Sequence, residues 1–169
     1  IATLACAPHL DNGIMAGAGL AIALYLLRTM TPRVAVLGRH PDGSLRDARV
    51  HQLPASDIVT AVRFDGRLYF ANVSYFEDAI LEAVAANPGA QALLVVGNGI
   101  NELDASGEEV MRHVVERLRQ NGVSVAFSGL KKQVIDVMSA TGLYDFIGAR
   151  NFHATADLAL TAIHAAAVA

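Results

Sequence analysis

From Gly13 to Leu27 the chain reads GIMAGAGLAIALYLL, fifteen residues without a charge. A helix that is apolar on every side belongs in a protein core or in a membrane, not on a soluble surface. With Leu10, Asn12 and the aliphatic stem of Arg28 the run approaches the roughly 20 residues that span hydrocarbon, which predicts a membrane helix over about residues 12–29. Gly13, Gly17 and Ala21 recur at every fourth position, the small-residue spacing that lets membrane helices approach closely. Arg28, Arg33 and Arg39 follow, and the positive-inside rule then puts everything downstream in the cytoplasm. Upstream, apolar character resumes in Ile1–Ala7, so His9-Leu10-Asp11-Asn12 reads as a short connection between two membrane helices. Asp11 and Asn12 are expected to be interfacial turn residues. The competing description is a buried helix of a soluble protein. A signal peptide fits less well, because no basic leader precedes the run and Asp11 stands in front of it.

Beyond Thr31-Pro32 the pattern changes, which places a boundary near Pro32 and divides the chain into 1–32 and 33–169. Arg33–Arg39 (RVAVLGR) is short and β-branched, as a strand should be. Residues Pro41–Asp57 form a charged, Pro- and Gly-containing excursion with one strand-like piece around Ala48–Leu53. Ile58–Phe64 alternates as a strand, Asp65-Gly66 is a turn signal, and Arg67–Phe70 reads as the return strand of a hairpin. Asn72 can cap a helix with Phe76, Ile80, Leu81 and Val84 on one stripe. Ala92–Val96 is the next strand. Ser106 opens a helix whose Val110, Val114, Val115 and Leu118 face inward, closed by Gly122. Val123–Phe127 is another buried strand. A helix over about Lys131–Thr141 ends at Gly142, the apolar piece Tyr144–Ile147 follows, and an Ala-rich helix runs from Thr155. Strands alternating with helices predict an α/β domain with a mixed, mostly parallel sheet.

Composition narrows the function. A formal charge of −3 excludes the broad basic footprint that nucleic acid requires. The single cysteine, Cys6, can form neither an internal disulfide nor a zinc cluster, and it reads as a small buried hydrophobe. The six histidines, His9, His40, His51, His113, His153 and His164, show no i, i+4 ligand spacing, so no metal is expected. No serine, histidine and carboxylate set is arranged for nucleophilic catalysis, so neither enzyme activity nor a cofactor is expected. Gly97-Asn98-Gly99 lacks the full pattern of a phosphate loop and reads as a tight turn.

The segments RTMTPRVAVLGR, VRFDGRLYFANVSYFEDAI, LDASGEE and FSGLKKQVIDVMSATGLYD together resemble the C-terminal part of the SulP anion transporters. The resemblance covers nearly the whole chain, and FDGRLYFAN and SGLKKQVIDVMSATGL carry its most specific part. It implies the last transmembrane helix of a bacterial inner-membrane transporter of sulfate, bicarbonate or a related anion, followed by a cytoplasmic STAS domain. It also implies an upstream membrane domain, contact with lipid and a homodimer. The chain begins with Ile1 and reads as a piece of a longer protein, with any substrate pathway upstream. The STAS fold also occurs in free anti-sigma factor antagonists, which gives the alternative of a soluble interaction module. A nucleotide-binding regulatory domain is a third possibility.

In the antagonists a serine in a D-S/T-S-G-like turn is phosphorylated, and Asp104-Ala105-Ser106-Gly107 stands in the corresponding place. Ala105 occupies a position where a hydroxyl residue is usual, and Glu108-Glu109 replaces apolar residues. Ser106-x-x-Glu109 is also a capping box, in which each side chain satisfies a backbone N–H at the helix start. A phosphate on Ser106 would gain from the helix N-terminus but would be repelled by Asp104, Glu108 and Glu109. The turn formed by Asp104, Ser106 and Gly107 is thus a candidate regulatory or partner-contact surface. Lys131 and Lys132 open a helix where cations oppose the dipole, which makes them candidates to meet an acidic partner, an anion or lipid head groups.

Overall fold

The computed structural model describes residues 10–54, 56 and 58–168. Cys6 and His9 lie outside them. The chain divides into two compact units, Ile1–Pro32 and Arg33–Ala169. In the first, helix α1 runs from Leu10 to Met30. Leu10, Asp11 and Asn12 therefore belong to a helical first turn and not to a connection, and Asp11 complements the positive end of the dipole there. Ile14, Met15, Leu20, Ile22 and Leu24 are exposed. A helix forms where a membrane span was expected, yet no helix among the described residues is long and apolar enough to cross a membrane. The uncharged stretch between Asp11 and Arg28 rises about 24 Å at about 1.5 Å per residue, against about 30 Å of hydrocarbon.

The second unit holds a six-stranded sheet. In chain order its elements are β1 (Arg33–Arg39), β2 (Leu45–Asp47), α2 (Ala48–His51), β3 (Val59–Asp65), α3 (Val73–Ala85), β4 (Ala92–Val96), α4 (Ala105–Gln120), β5 (Ser124–Ser128), α5 (Lys132–Ala140), α6 (Leu143–Ile147), β6 (Phe152–His153) and α7 (Ala156–Val168). The strand order is β2-β1-β3-β4-β5-β6. β1 is antiparallel to both β2 and β3, whereas β3, β4, β5 and β6 are mutually parallel. The sheet is mixed and mostly parallel, as the alternation of elements predicts.

Both faces of the sheet are covered, which is why β4 reads as an unbroken apolar run. On one face Val62, Phe64, Leu93, Val95, Val125 and Phe127 pack against α3, α4 and α5. Phe64 meets Phe76 edge to face with ring centroids 5.2 Å apart. On the other face Ala35, Leu37, Ala61, Leu94 and Ala126 pack against Ala159 and Leu160 of α7. Each fully buried large apolar side chain contributes about 1.5–3 kcal/mol before conformational entropy opposes it.

Two local expectations are corrected. Around Ala48–Leu53 the chain forms the short helix α2, because Asp47 caps it by accepting hydrogen bonds from the Arg49 and Val50 amides at 3.1 and 3.2 Å. The extended piece is Leu45–Asp47 instead. The hairpin after Asp65-Gly66 also does not form. β3 already has β1 on one edge and β4 on the other, so a return strand has no edge to pair with. Leu68 instead makes a parallel bridge with Leu103 and is fully buried.

Candidate partner-contact rim

The carboxyl ends of β3, β4 and β5 deliver three loops to one rim of the domain. Backbone hydrogen bonds tie them together: Gly66 donates to the Gly99 carbonyl at 3.1 Å, Leu68 to that of Glu102 at 2.9 Å, and Gly97 to that of Ser128 at 2.8 Å. Gly97-Asn98-Gly99 is a tight turn closed by the Ile100 amide on the Gly97 carbonyl at 2.9 Å. Its Gly99 is required sterically, since a Cβ there would lie 2.6 Å from the Asp65 Cα and 2.7 Å from the Phe64 carbonyl oxygen.

Asp104, not Ser106, caps α4. Its Oδ1 accepts from the Gly107 amide at 2.8 Å, and its Oδ2 accepts from the Phe70 amide at 3.0 Å in the preceding loop. One carboxylate thus closes the helix start and fixes the neighbouring loop. The predicted capping box is therefore displaced: Ser106 lies inside the first turn, half-buried. Glu109 is exposed, and Glu108 pairs with Arg112 at 2.6 Å. Gly107 is buried where a Cβ would meet the Leu68 carbonyl oxygen at 2.6 Å and the Leu103 side chain at 2.8 Å. Asp104 and Gly107 are brought together by geometry; the Ser106 hydroxyl is left at the edge of the turn.

The two lysines part company. Lys131 donates to Asn101 Oδ1, and Gln133 donates to the Asn101 carbonyl at 3.1 Å, so the start of α5 is fastened to the loop leading to Asp104. Lys132 turns along its own helix to Asp136 at 2.8 Å. Asn101 and Asp136 supply local partners that compensate cations placed at a helix start.

Sequence reasoning missed the loop between β3 and α3. Asn72 stands at the start of α3 but makes no side-chain cap bond. It is buried and braces the loop behind it, accepting from the Tyr69 amide at 3.1 Å and donating to the Arg67 carbonyl at 2.9 Å. Phe70, clamped by Asp104, is 70% exposed. Its ring meets Tyr69 edge to face at 5.3 Å, and Arg67 lies over Tyr69 at 5.9 Å while pairing with Glu102 at 3.5 Å. The sequence signal was Asn72 two residues after Phe70, but Asn72 was read as a helix cap and Arg67–Phe70 as a return strand. Among the described residues no group of three or more His, Cys, Asp or Glu side chains is placed to hold a metal ion.

Comparison with known proteins fits this geometry. The STAS domain family matches residues 51–159. The probable sulfate transporter 4.2 of Arabidopsis thaliana is 26% identical over 152 residues, covering 82% of this chain and 22% of the relative. The chain thus spans about a fifth of the length of that transporter. Among solved structures, the murine solute carrier 26 family member A9 anion transporter in its inward-facing state superposes with a TM-score of 0.81 at 16% identity, over 92% of this chain and 26% of that one. A putative anti-sigma factor antagonist from Thermotoga maritima gives 0.56 at 17% identity, over 69% of this chain and 98% of that one. The sheet order, the loop-borne rim and the match over most of its length make this chain a member of the STAS domain family.

Proposed function

We propose that this chain is the C-terminal portion of a SulP-type secondary anion transporter of the bacterial inner membrane, with Arg33–Ala169 as its cytoplasmic regulatory STAS domain. The observation that carries the reading is the extent of the fold likeness. The superposition on the murine anion transporter covers 92% of 169 residues, about 155, more than the 137 from Arg33 to Ala169. It therefore reaches into the apolar helix, while the likeness to the Thermotoga antagonist covers only 69% of the chain. Helix α1, apolar around its circumference, belongs on this reading among other membrane helices, where neighbours and local bilayer thinning accommodate a short uncharged run.

In this role the domain works by binding and not by catalysis, as part of a homodimer. Sulfate, bicarbonate or a related small anion is the cargo, carried by a membrane domain upstream. The Asp104-Ser106-Gly107 turn is the regulatory contact. Ser106→Ala and Ser106→Glu are expected to change transport by different amounts, and equal, negligible effects of both would leave Ser106 without a regulatory role.

The test of the function is anion uptake by the full-length protein in proteoliposomes, together with extraction of native membranes by alkaline carbonate. The expected result is uptake of radiolabelled sulfate or bicarbonate by a protein that stays in the membrane pellet. Release into the carbonate wash would overturn the reading in favour of an antagonist-like soluble module, which requires no further apolar spans upstream.

A further inference from the structure

We infer that the cleft between α7 and the amino ends of β4 and β5 binds a small amphipathic carboxylate, with its unbranched aliphatic chain against the sheet and its ionised head on Arg150. The cleft lies wholly within the Arg33–Ala169 unit, so the inference does not depend on what the membrane portion transports.

The cleft exists because small side chains face each other across it. Helix α7 rests on the sheet through Ala159 and Leu160, which are buried, with Ile163 packed beside them. Toward the carboxyl end of α7 the apolar walls are mostly alanine, with Ala92 and Ala126 on the strands and Ala162, Ala166 and Ala167 on the helix. A space of about 520 Å³ is left, within the range of about 300–1,000 Å³ usual for small-molecule sites. Protein interiors pack as densely as organic crystals, and apolar walls facing a gap lose dispersion contacts that a bound chain restores. No Phe, Tyr or Trp lines the cleft, so a planar ligand finds no ring to stack on. An aliphatic body fits these walls.

The polar lining selects the head. Arg150 is the one Lys, Arg, Asp or Glu that lines the cleft; it is exposed, and it pairs with no carboxylate among the described residues. On its other side Arg150 borders a second hollow together with Arg119, whose guanidinium donates to the Phe146 and Ile147 carbonyls at 2.8 and 2.6 Å. Neither hollow is lined by an Asp or Glu, so this end of the domain is locally positive. Ser124 and Asn151 already donate, to the Gln91 carbonyl at 3.2 Å and the Ile147 carbonyl at 2.6 Å. The side chains of Gln91 and His153 make no hydrogen bond among the described residues and line the cleft with Arg150. A guanidinium holds a carboxylate through two parallel N–H donors. One such cation over one apolar cleft suits a single chain with a single charged head, not a two-chain phospholipid.

The experiment adds decanoate carrying a mid-chain diazirine to native membranes containing the full-length protein, followed by irradiation and mapping of the labelled peptides. The expected result is saturable label on α7 and on the strands that carry Ala92 and Ala126, displaced by unlabelled decanoate. Arg150→Gln should cut the label about threefold at subsaturating probe, and Ala162→Leu, an exposed position whose larger side chain fills the cleft, should cut it severalfold. Displacement by a carboxylate series of about six to twelve carbons should strengthen roughly threefold per methylene and then level off once the cleft is full. Any of four results would overturn the inference: label spread without saturation over α1 and α7 alike, equal label from the matching decanol probe, no response to Arg150→Gln, or preferential label from phosphatidylglycerol bearing the same diazirine.

Discussion

Asp104 spends both carboxylate oxygens on backbone amides from two different elements, Phe70 in a loop and Gly107 in α4. Replacing it with alanine leaves two amides without their acceptor. Asp104→Ala is expected to cost about 1–2 kcal/mol from the cap alone, whereas Ser106→Ala should stay within about 0.5 kcal/mol. Urea unfolding of the Arg33–Ala169 unit measures both, and a larger loss at Ser106 would contradict the cap assignment. At Gly107 the neighbours are the Leu68 backbone and the Leu103 side chain, and backbone cannot step aside as a long side chain does. Gly107→Ala is therefore expected to destabilise by about 1–3 kcal/mol, read as a lower urea midpoint at unchanged slope. The capping-box reading placed the cap at Ser106, two positions after the aspartate that fills that role. What decides between them is the Phe70 amide, supplied by a loop 34 residues away, and no local pattern records that.

At the scale of elements, the strands Arg33–Arg39 and Ala92–Val96 were legible because both are bounded by turn residues, the first with the run Val34–Leu37 between its polar ends and the second apolar throughout. The inward faces of α3 and α4 followed from their 3.6-residue period: Phe76, Ile80, Val110, Val114, Val115 and Leu118 are buried. The hairpin after β3 was misread because Asp65-Gly66 is a turn signal blind to strand pairing, and the partners of β3 come from β1 and β4. The β1–β2 connection makes a pH prediction. Hydrogen bonds from the Ser44 hydroxyl and amide, aided by His40 and Arg46, hold the Asp42 carboxyl well below the usual carboxylate range. The Val50 amide, with Arg33 and the Arg49 amide, lowers that of Asp47 against an opposing effect of burial. Carboxyls lowered in the folded state stabilise it above their unfolded pKa, and that stability is lost as pH falls through the folded value. Protection of the Ser44 and Val50 amides from hydrogen exchange should therefore fall, relative to β4, as pH drops below about 4. Constant relative protection down to about pH 2 would contradict this assignment.

For the whole molecule, the architecture separates packing from presentation. Apolar side chains on both faces of the sheet hold the domain together. The loops at the carboxyl ends of its parallel strands carry the Asp104 turn, Lys131 and Phe70 on one rim. The membrane helix expected from composition is present as a helix, but its uncharged stretch is too short to span alone, because Asp11 and Arg28 bound it. The most direct measurement of the regulatory role is anion uptake into proteoliposomes by the full-length protein with and without residues 33–169, at matched protein density. The account predicts that deletion changes the uptake rate or the assembled fraction severalfold while the remaining protein stays in the membrane. Identical uptake, assembly and abundance in the two preparations would contradict it.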